Sequence, residues 1–270
     1  MEPFYFNTAE RPLFGVFHPP RGDVTRSVGV VLCYPMGQEY IRSHRAFLQL
    51  AGRLAGAGFP CLRFDYDGCG DSGGDMTDAG PEQWMRNIGT AIDELRDGTG
   101  VASVCLMGLR LGATLAVLVG AERCDVEQMF LWEPVLHGQR YLNELKVRHR
   151  EWLRGSFAKP QVGDGQNSTD EVLGFPLSAR LAATITDLDL TCTEAIPATK
   201  MLLLENTEEG RLHPLWEHYR GLGIQAEHRL VPAPPAWLKI EADAENELGG
   251  CLVPSDVLDA AVAWLSEVNK

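Results

Sequence analysis

Positive charge is scarce in this chain: 24 lysines and arginines stand against 37 aspartates and glutamates, a formal net charge of −13 at pH 7. A nucleic-acid partner is not expected, because phosphate contacts need clustered cations. The one basic cluster, Arg140, Lys146, Arg148, Arg150 and Arg154, is interleaved with Glu144 and Glu151 and reads as a solvated helix face. No apolar run reaches the roughly 18 residues that a membrane-spanning helix needs. Cysteine occurs seven times, at 33, 61, 69, 105, 124, 192 and 251, with no C-x-x-C pair and an odd total, which argues against a disulfide framework or a zinc cage. Nothing else calls for a metal or a cofactor. The opening stretch MEPFYFNTAERPLFG has no basic segment leading into an apolar one, so no secretory leader is read there. Free thiols without a leader fit a cytoplasmic protein, in which the sequon Asn167-Ser168-Thr169 is idle.

A 45% apolar content over 270 residues is enough for a sizeable core and suits one α/β domain. Short apolar runs, VGVVLCYP (28–35), CLRFDY (61–66), VASVCLMG (101–108), QMFLWEP (128–134), KMLLLEN (200–206) and AEHRLVPA (226–233), read as strands covered on both faces. Between them lie helical patterns: Phe47, Leu50, Ala51 and Leu54 share a face, as do Trp84, Ile88, Ala91, Ile92 and Leu95, and later Leu258, Ala261, Val262 and Leu265. Such alternation predicts a mostly parallel sheet with helices on both sides. LFGVFHPP adds a strand of an N-terminal antiparallel ribbon. Residues 138–197 interrupt the rhythm: a charged helix, the polar stretch KPQVGDGQNSTDEVLGF, then a second helix near SARLAATITDL. The expectation is a core of residues 1–137 and 198–270, with 138–197 inserted as a cap carrying a mobile loop.

The segment MGLRLGATLA (107–116) has the strand, turn and helix context of a nucleophile elbow, G-x-S-x-G, but Arg110 stands at the serine. Together with FDYDGCGDSGG (64–74), CYPMGQEYIRSHR from Cys33 and LWEPVLHG (131–138), this makes nearly the whole chain resemble the α/β-hydrolase superfamily. Within it the chain is similar to serine aminopeptidase-like hydrolases and to the hydrolases associated with exosortase A systems, some of which also look serine-free at the elbow. That resemblance implies a bacterial setting in exopolysaccharide, protein-sorting or secondary-metabolite loci. It also assigns roles by position: the nucleophile slot is Arg110, the acid slot after KMLLLEN falls on Glu208 or Glu209, with Glu209 nearer the expected spacing, and the oxyanion donors are the backbone N–H groups of Met36 and Leu111.

Two roles of such a triad are unfilled. A guanidinium stays protonated, so Arg110 is neither nucleophile nor base. No histidine follows AEHRLVPA, and His228 lies inside that strand, too early. Losing a triad nucleophile or base costs on the order of 10⁶ in turnover and leaves ~10³ from the oxyanion hole and binding. The binding half survives, and Arg110 could hold a carboxylate or phosphate in two parallel hydrogen bonds. An internal pairing of Arg110 with Glu39, Glu133 or Glu209 competes with that role. Cys33 or Cys69 with His44 or His137 is an alternative nucleophile and base. His137 lies where the cap begins, and Trp237 near the vacated histidine slot. Two readings follow: a non-hydrolytic protein binding an acyl or anionic small molecule at Arg110 in a capped pocket, or a hydrolase or acyl-transfer enzyme with a rearranged site, attacking with water or cysteine.

Overall fold

The computed structural model describes residues 1–22, 24–155, 170–206, 210–238 and 253–270. The chain opens with an antiparallel hairpin, β1 (Glu2–Thr8) and β2 (Arg11–His18), and enters its central sheet at β3 (Val28–Cys33). Helix α1 (Gly37–Gly56), β4 (Cys61–Phe64), α2 (Pro81–Thr99), β5 (Ser103–Leu109), α3 (Leu111–Arg123) and β6 (Gln128–Trp132) follow in the expected alternation. The segment between the sheet strands β6 and β9 contains α4 (Gly138–Gly155), a small hairpin of β7 (Asp170–Val172) and β8 (Phe175–Leu177), and α5 (Ala179–Thr186). The chain closes with β9 (Lys200–Glu205), α6 (His213–Gly221), β10 (Gln225–Leu230) and α7 (Ser255–Val268). The eight-stranded sheet runs β1-β2-β4-β3-β5-β6-β9-β10 and is parallel from β4 to β10.

Each element has a local cause. All six residues of β3 and all five of β6 are buried, as apolar strands covered on both faces must be. At the β10 edge the pattern QAEHRL alternates exposed and half-buried residues, which matches a strand covered on one side only. Pro81 starts α2 where its missing N–H costs nothing, and Gly100 ends it in a left-handed conformation. The apolar stripes of α1 and α2 meet the sheet: Phe47, Leu50 and Leu54 on one side, Trp84, Ile88 and Ile92 on the other, all buried. Burying one such side chain contributes roughly 1.5–3 kcal/mol.

The segment between β6 and β9 leaves and returns through one narrow foot. His137 and Asp189 form an isolated antiparallel bridge, the Gly138 N–H donates to the Leu188 carbonyl at 2.8 Å, and the Leu190 N–H to that of Leu136 at 2.9 Å. A Cβ at position 138 would lie 1.6 Å from the Ile185 carbonyl oxygen, so only glycine fits there. Helix α5 is capped by Ser178, whose Oγ accepts from the Leu181 N–H. The sequence reading took DEVLGF as loop, whereas it is a hairpin. Its two-residue turn is Leu173-Gly174, with φ of 53° and 87°, and leucine in the place usually held by asparagine or aspartate hides the signal. The rest of that expected loop, 159–169, with the sequon in it, lies outside the described residues. Among the described residues no helix is long and apolar enough to cross a membrane.

Candidate functional site

Arg110 joins β5 to α3 with φ 52° and ψ −122°, a conformation that costs a non-glycine residue on the order of 1–3 kcal/mol. Its backbone is held on both sides: the N–H donates to the Trp132 carbonyl at 3.0 Å, and the carbonyl accepts from Ala113 at 3.1 Å. The flanking glycines are packing requirements. A Cβ on Gly108 would lie 2.5 Å from the Ala113 backbone, and one on Gly112 would lie 2.2 and 2.3 Å from the carbonyl oxygens of Cys33 and Tyr34. That close approach sets the start of α3, Leu111, beside the loop that carries Met36, whose extended backbone precedes the first turn of α1.

The Arg110 side chain is 3% exposed and paired with two carboxylates. Its Nε donates to Glu39 Oε1 at 3.1 Å, and an Nη to Glu144 Oε2 at 2.7 Å. Glu39 comes from the first turn of α1, where negative charge also suits the helix dipole. Its second oxygen accepts from the Tyr141 hydroxyl at 2.8 Å. Glu144, on α4, gives its other oxygen to Arg148 at 2.5 Å. The rings of Tyr141 and Trp237 lie 5.4 and 5.5 Å from the guanidinium carbon, within reach of cation–π attraction. Burial works against the Arg110 charge, but Glu39 and Glu144 outweigh it and hold the guanidinium protonated. Burial also pushes the Glu39 carboxyl above the usual carboxylate range, against the opposing pull of Arg110 and Tyr141.

The other sequence candidates separate from this centre. Glu133, offered as an internal partner of Arg110, instead accepts from the Asn206 N–H at 2.8 Å and from the Arg211 guanidinium. His228 does lie within β10, and its Nε2 is 3.0 Å from Glu205 Oε2, while Glu205 Oε1 accepts from the Arg211 N–H. These two buried carboxylates thus fasten both ends of the acid-slot loop. Glu208 and Glu209 lie outside the described residues. His137 Nδ1 is 3.2 Å from Asp189 Oδ2 at the foot of the inserted segment. Trp237 is buried over Arg110 and edge-on to Trp132 at 6.0 Å, and its Nε1–H has no acceptor among the described residues. Burial raises the Cys33 thiol far above its ordinary range and the Cys69 thiol to about 12, so neither is a ready thiolate. His44 stacks on Tyr34 with centroids 5.9 Å apart, and burial lowers its pKa, assisted by Arg63.

Two residues at the centre were not singled out from sequence. Charge interleaving places Glu144 on a solvated face and gives Tyr141 no role, although 141, 144 and 148 follow the three-and-four spacing of one helix side. The cavity between Met36–Glu39, Leu145 and the β7–β8 hairpin is about 10 Å³, no more than a single water requires.

The comparisons with known proteins agree with this architecture. The profile of the family described as serine aminopeptidase, S33 matches residues 38–190. No curated protein matches the chain. Among solved structures, a putative hydrolase from Agrobacterium vitis is similar at TM-score 0.61 and 16% identity, covering 100% of this chain and 99% of its own. The esterase Est1E from Butyrivibrio proteoclasticus, with ferulic acid bound, is similar at TM-score 0.63 and 14% identity, with 98% of each chain covered. The bottromycin epimerase BotH, in complex with bottromycin A2, is similar at TM-score 0.60 and 17% identity over 100% of both chains. With an α/β-hydrolase sheet, an elbow in the strained conformation and more than half of its length matched by that profile, the chain belongs to the serine aminopeptidase S33 family of α/β-hydrolase-fold proteins.

Proposed function

We propose that this chain is a non-hydrolytic member of its family that binds an acyl, carboxylate or phosphate-bearing small molecule at the elbow, with residues 138–197 as a cap over a core of 1–137 and 198–270. Arg110 is the anchor, the backbone N–H groups of Met36 and Leu111 are the remaining oxyanion donors, and Trp237 and Glu39 shape the site. Free thiols at the six described cysteines support action in the cytoplasm. The observation that carries the reading is that the strained elbow is kept around a buried cation, one of whose two carboxylate partners, Glu144, is partly open to solvent and so exchangeable.

The competing reading, turnover by water or a cysteine with His137 or Glu209 as base, draws less support. The Cys33 and Cys69 thiols are held protonated, and His137 is engaged by Asp189. An epimerase among the solved neighbours also fits a fold not tied to hydrolysis. The deciding experiment is a panel of esters, thioesters and small amides offered to the wild type and to Arg110→Ala. Background rates are expected in both. Turnover by the wild type that disappears in the variant would overturn the proposal and make Arg110 part of an active site.

A further inference from the structure

We infer that Glu144 is a built-in stand-in for the ligand, and that the site selects an organic monocarboxylate whose carboxylate group replaces that of Glu144 between Arg110 and Arg148. The inference rests on the binding role proposed above and narrows it to one class.

The two carboxylates on Arg110 are unequal. Glu39 is 2% exposed, stands on α1 of the core and is fixed by a third contact, the Tyr141 hydroxyl. Glu144 is 32% exposed, stands on α4 and, among the described residues, accepts hydrogen bonds only from cations, with one oxygen on Arg110 and the other on Arg148. A carboxylate gripped at each oxygen by a separate guanidinium is how a bound acid would be held. Here the acid is the protein's own, on a partly exposed side chain that can rotate out to solvent while α4 keeps Arg148 in place. Glu39 is therefore the permanent counterion and Glu144 the exchangeable one.

Charge decides the class. With Glu144 swung out, Arg110 and Arg148 contribute two positive charges and Glu39 one negative, so the vacated place holds one surplus positive charge. A monocarboxylate neutralises it. Phosphate at neutral pH carries more charge than one and would bring the excess beside a buried carboxylate that has nowhere to disperse it. The surroundings suit a carboxylate on an apolar body: the Tyr141 and Trp237 rings flank the guanidinium, Leu145 lines the adjoining cavity, and the Trp237 Nε1–H is a buried donor without an acceptor among the described residues.

An intramolecular carboxylate competes at high effective concentration, so free acids bind the wild type weakly and bind tightly once Glu144 is removed. The test is thermal shift and calorimetry with benzoate, benzamide and inorganic phosphate on the wild type, Glu144→Ala and Arg148→Ala. Benzoate is expected to raise the Tm of Glu144→Ala in a saturable way and to bind it at least tenfold more tightly than the wild type, while neutral benzamide and phosphate do neither. A folded Glu144→Ala, checked by circular dichroism, with no gain for benzoate overturns the inference, as does a preference for phosphate. Should Glu144→Ala fail to fold, Arg148→Ala decides: benzoate affinity reduced tenfold or more from the wild-type value supports the inference, and unchanged affinity or no measurable wild-type binding overturns it. Ester turnover by the wild type would instead strike the proposed function, so the two failures are distinguishable.

Discussion

Among the described residues two arginines are buried, Arg110 at 2% exposure and Arg63 at 6%, and they are satisfied in opposite ways. Arg110 takes carboxylates from α1 and from α4. Arg63, in β4, has no ion pair among the described residues: its Nε donates to His18 Nε2 and an Nη to the Tyr34 hydroxyl, both at 3.0 Å. His18 is kept neutral for that role, its pKa lowered to about 4, first by burial and then by the Arg63 charge. The partners of Arg63 lie on or next to strands of one sheet, β2 and β3, whose relation to β4 is fixed by ladder hydrogen bonds. Neutral dipoles suffice where the geometry cannot change. Arg110 sits where α1 and the segment between β6 and β9 meet over the elbow, and carboxylates from both make its charge balance depend on their contact.

The sharpest way to break this comparison is to remove each cation. Arg110→Met leaves Glu39 buried without a counterion, and the expected loss is about 3–5 kcal/mol in urea denaturation. Adding Glu39→Gln should recover a large part of it, because the stranded charge disappears with the second substitution. Arg63→Met strands only neutral groups, and about 1–3 kcal/mol is expected. Equal losses for the two single variants would erase the distinction, and so would a double variant no better than Arg110→Met.

The neutral histidine gives the comparison a pH signature. A group whose folded-state pKa lies below its unfolded value contributes stability that is complete above the unfolded value and is lost as pH falls through the folded one. For His18 the window runs from 6.5 down to about 4, and the largest loss consistent with that shift is about 3 kcal/mol. Stability measured by denaturation at intervals across this range should fall with acid, and His18→Gln should flatten the slope. A slope that His18→Gln leaves unchanged would mean that Arg63 does not depend on a neutral imidazole.

The middle of the sheet was legible because its inner strands are apolar on both faces and its helices carry one stripe each, a pattern that survives without knowledge of partners, whereas β10, read with them as covered on both faces, is covered on one side only. The elbow was legible for a different reason: Gly108 and Gly112 are required by backbone approaches of 2.2–2.5 Å, whatever stands between them. Glu39 as a partner of Arg110 could be named from the neighbouring loop. Glu144 could not, because its role depends on how α4 lies over the elbow, and neither helical periodicity nor charge count encodes that placement. Glu133 illustrates the converse. It was within reach of Arg110 by topology, but a nearer cation, Arg211, and the Asn206 N–H claim both of its oxygens. The β7–β8 hairpin was missed because Leu173 occupies a left-handed turn position that residue statistics reserve for others.

The smallest expected effect sharpens the comparison most finely, since it removes one hydroxyl from each centre. Tyr141→Phe takes a donor from Glu39, and Tyr34→Phe takes an acceptor from Arg63. Each should cost about 1.5 kcal/mol, the low end of what a hydrogen bond to a charged partner contributes. Global stability will therefore not separate them, but local opening will. Tyr141 belongs to α4 and its hydroxyl ties that helix to α1, so Tyr141→Phe should speed amide hydrogen exchange across residues 138–155 several-fold. Tyr34 follows β3 and bonds within the sheet frame, so Tyr34→Phe should leave exchange in 138–155 unchanged beyond its global effect. If both variants loosened α4 alike, the contact between core and inserted segment would be carried by general packing, and the carboxylates on Arg110 would lose their place as the link between the two.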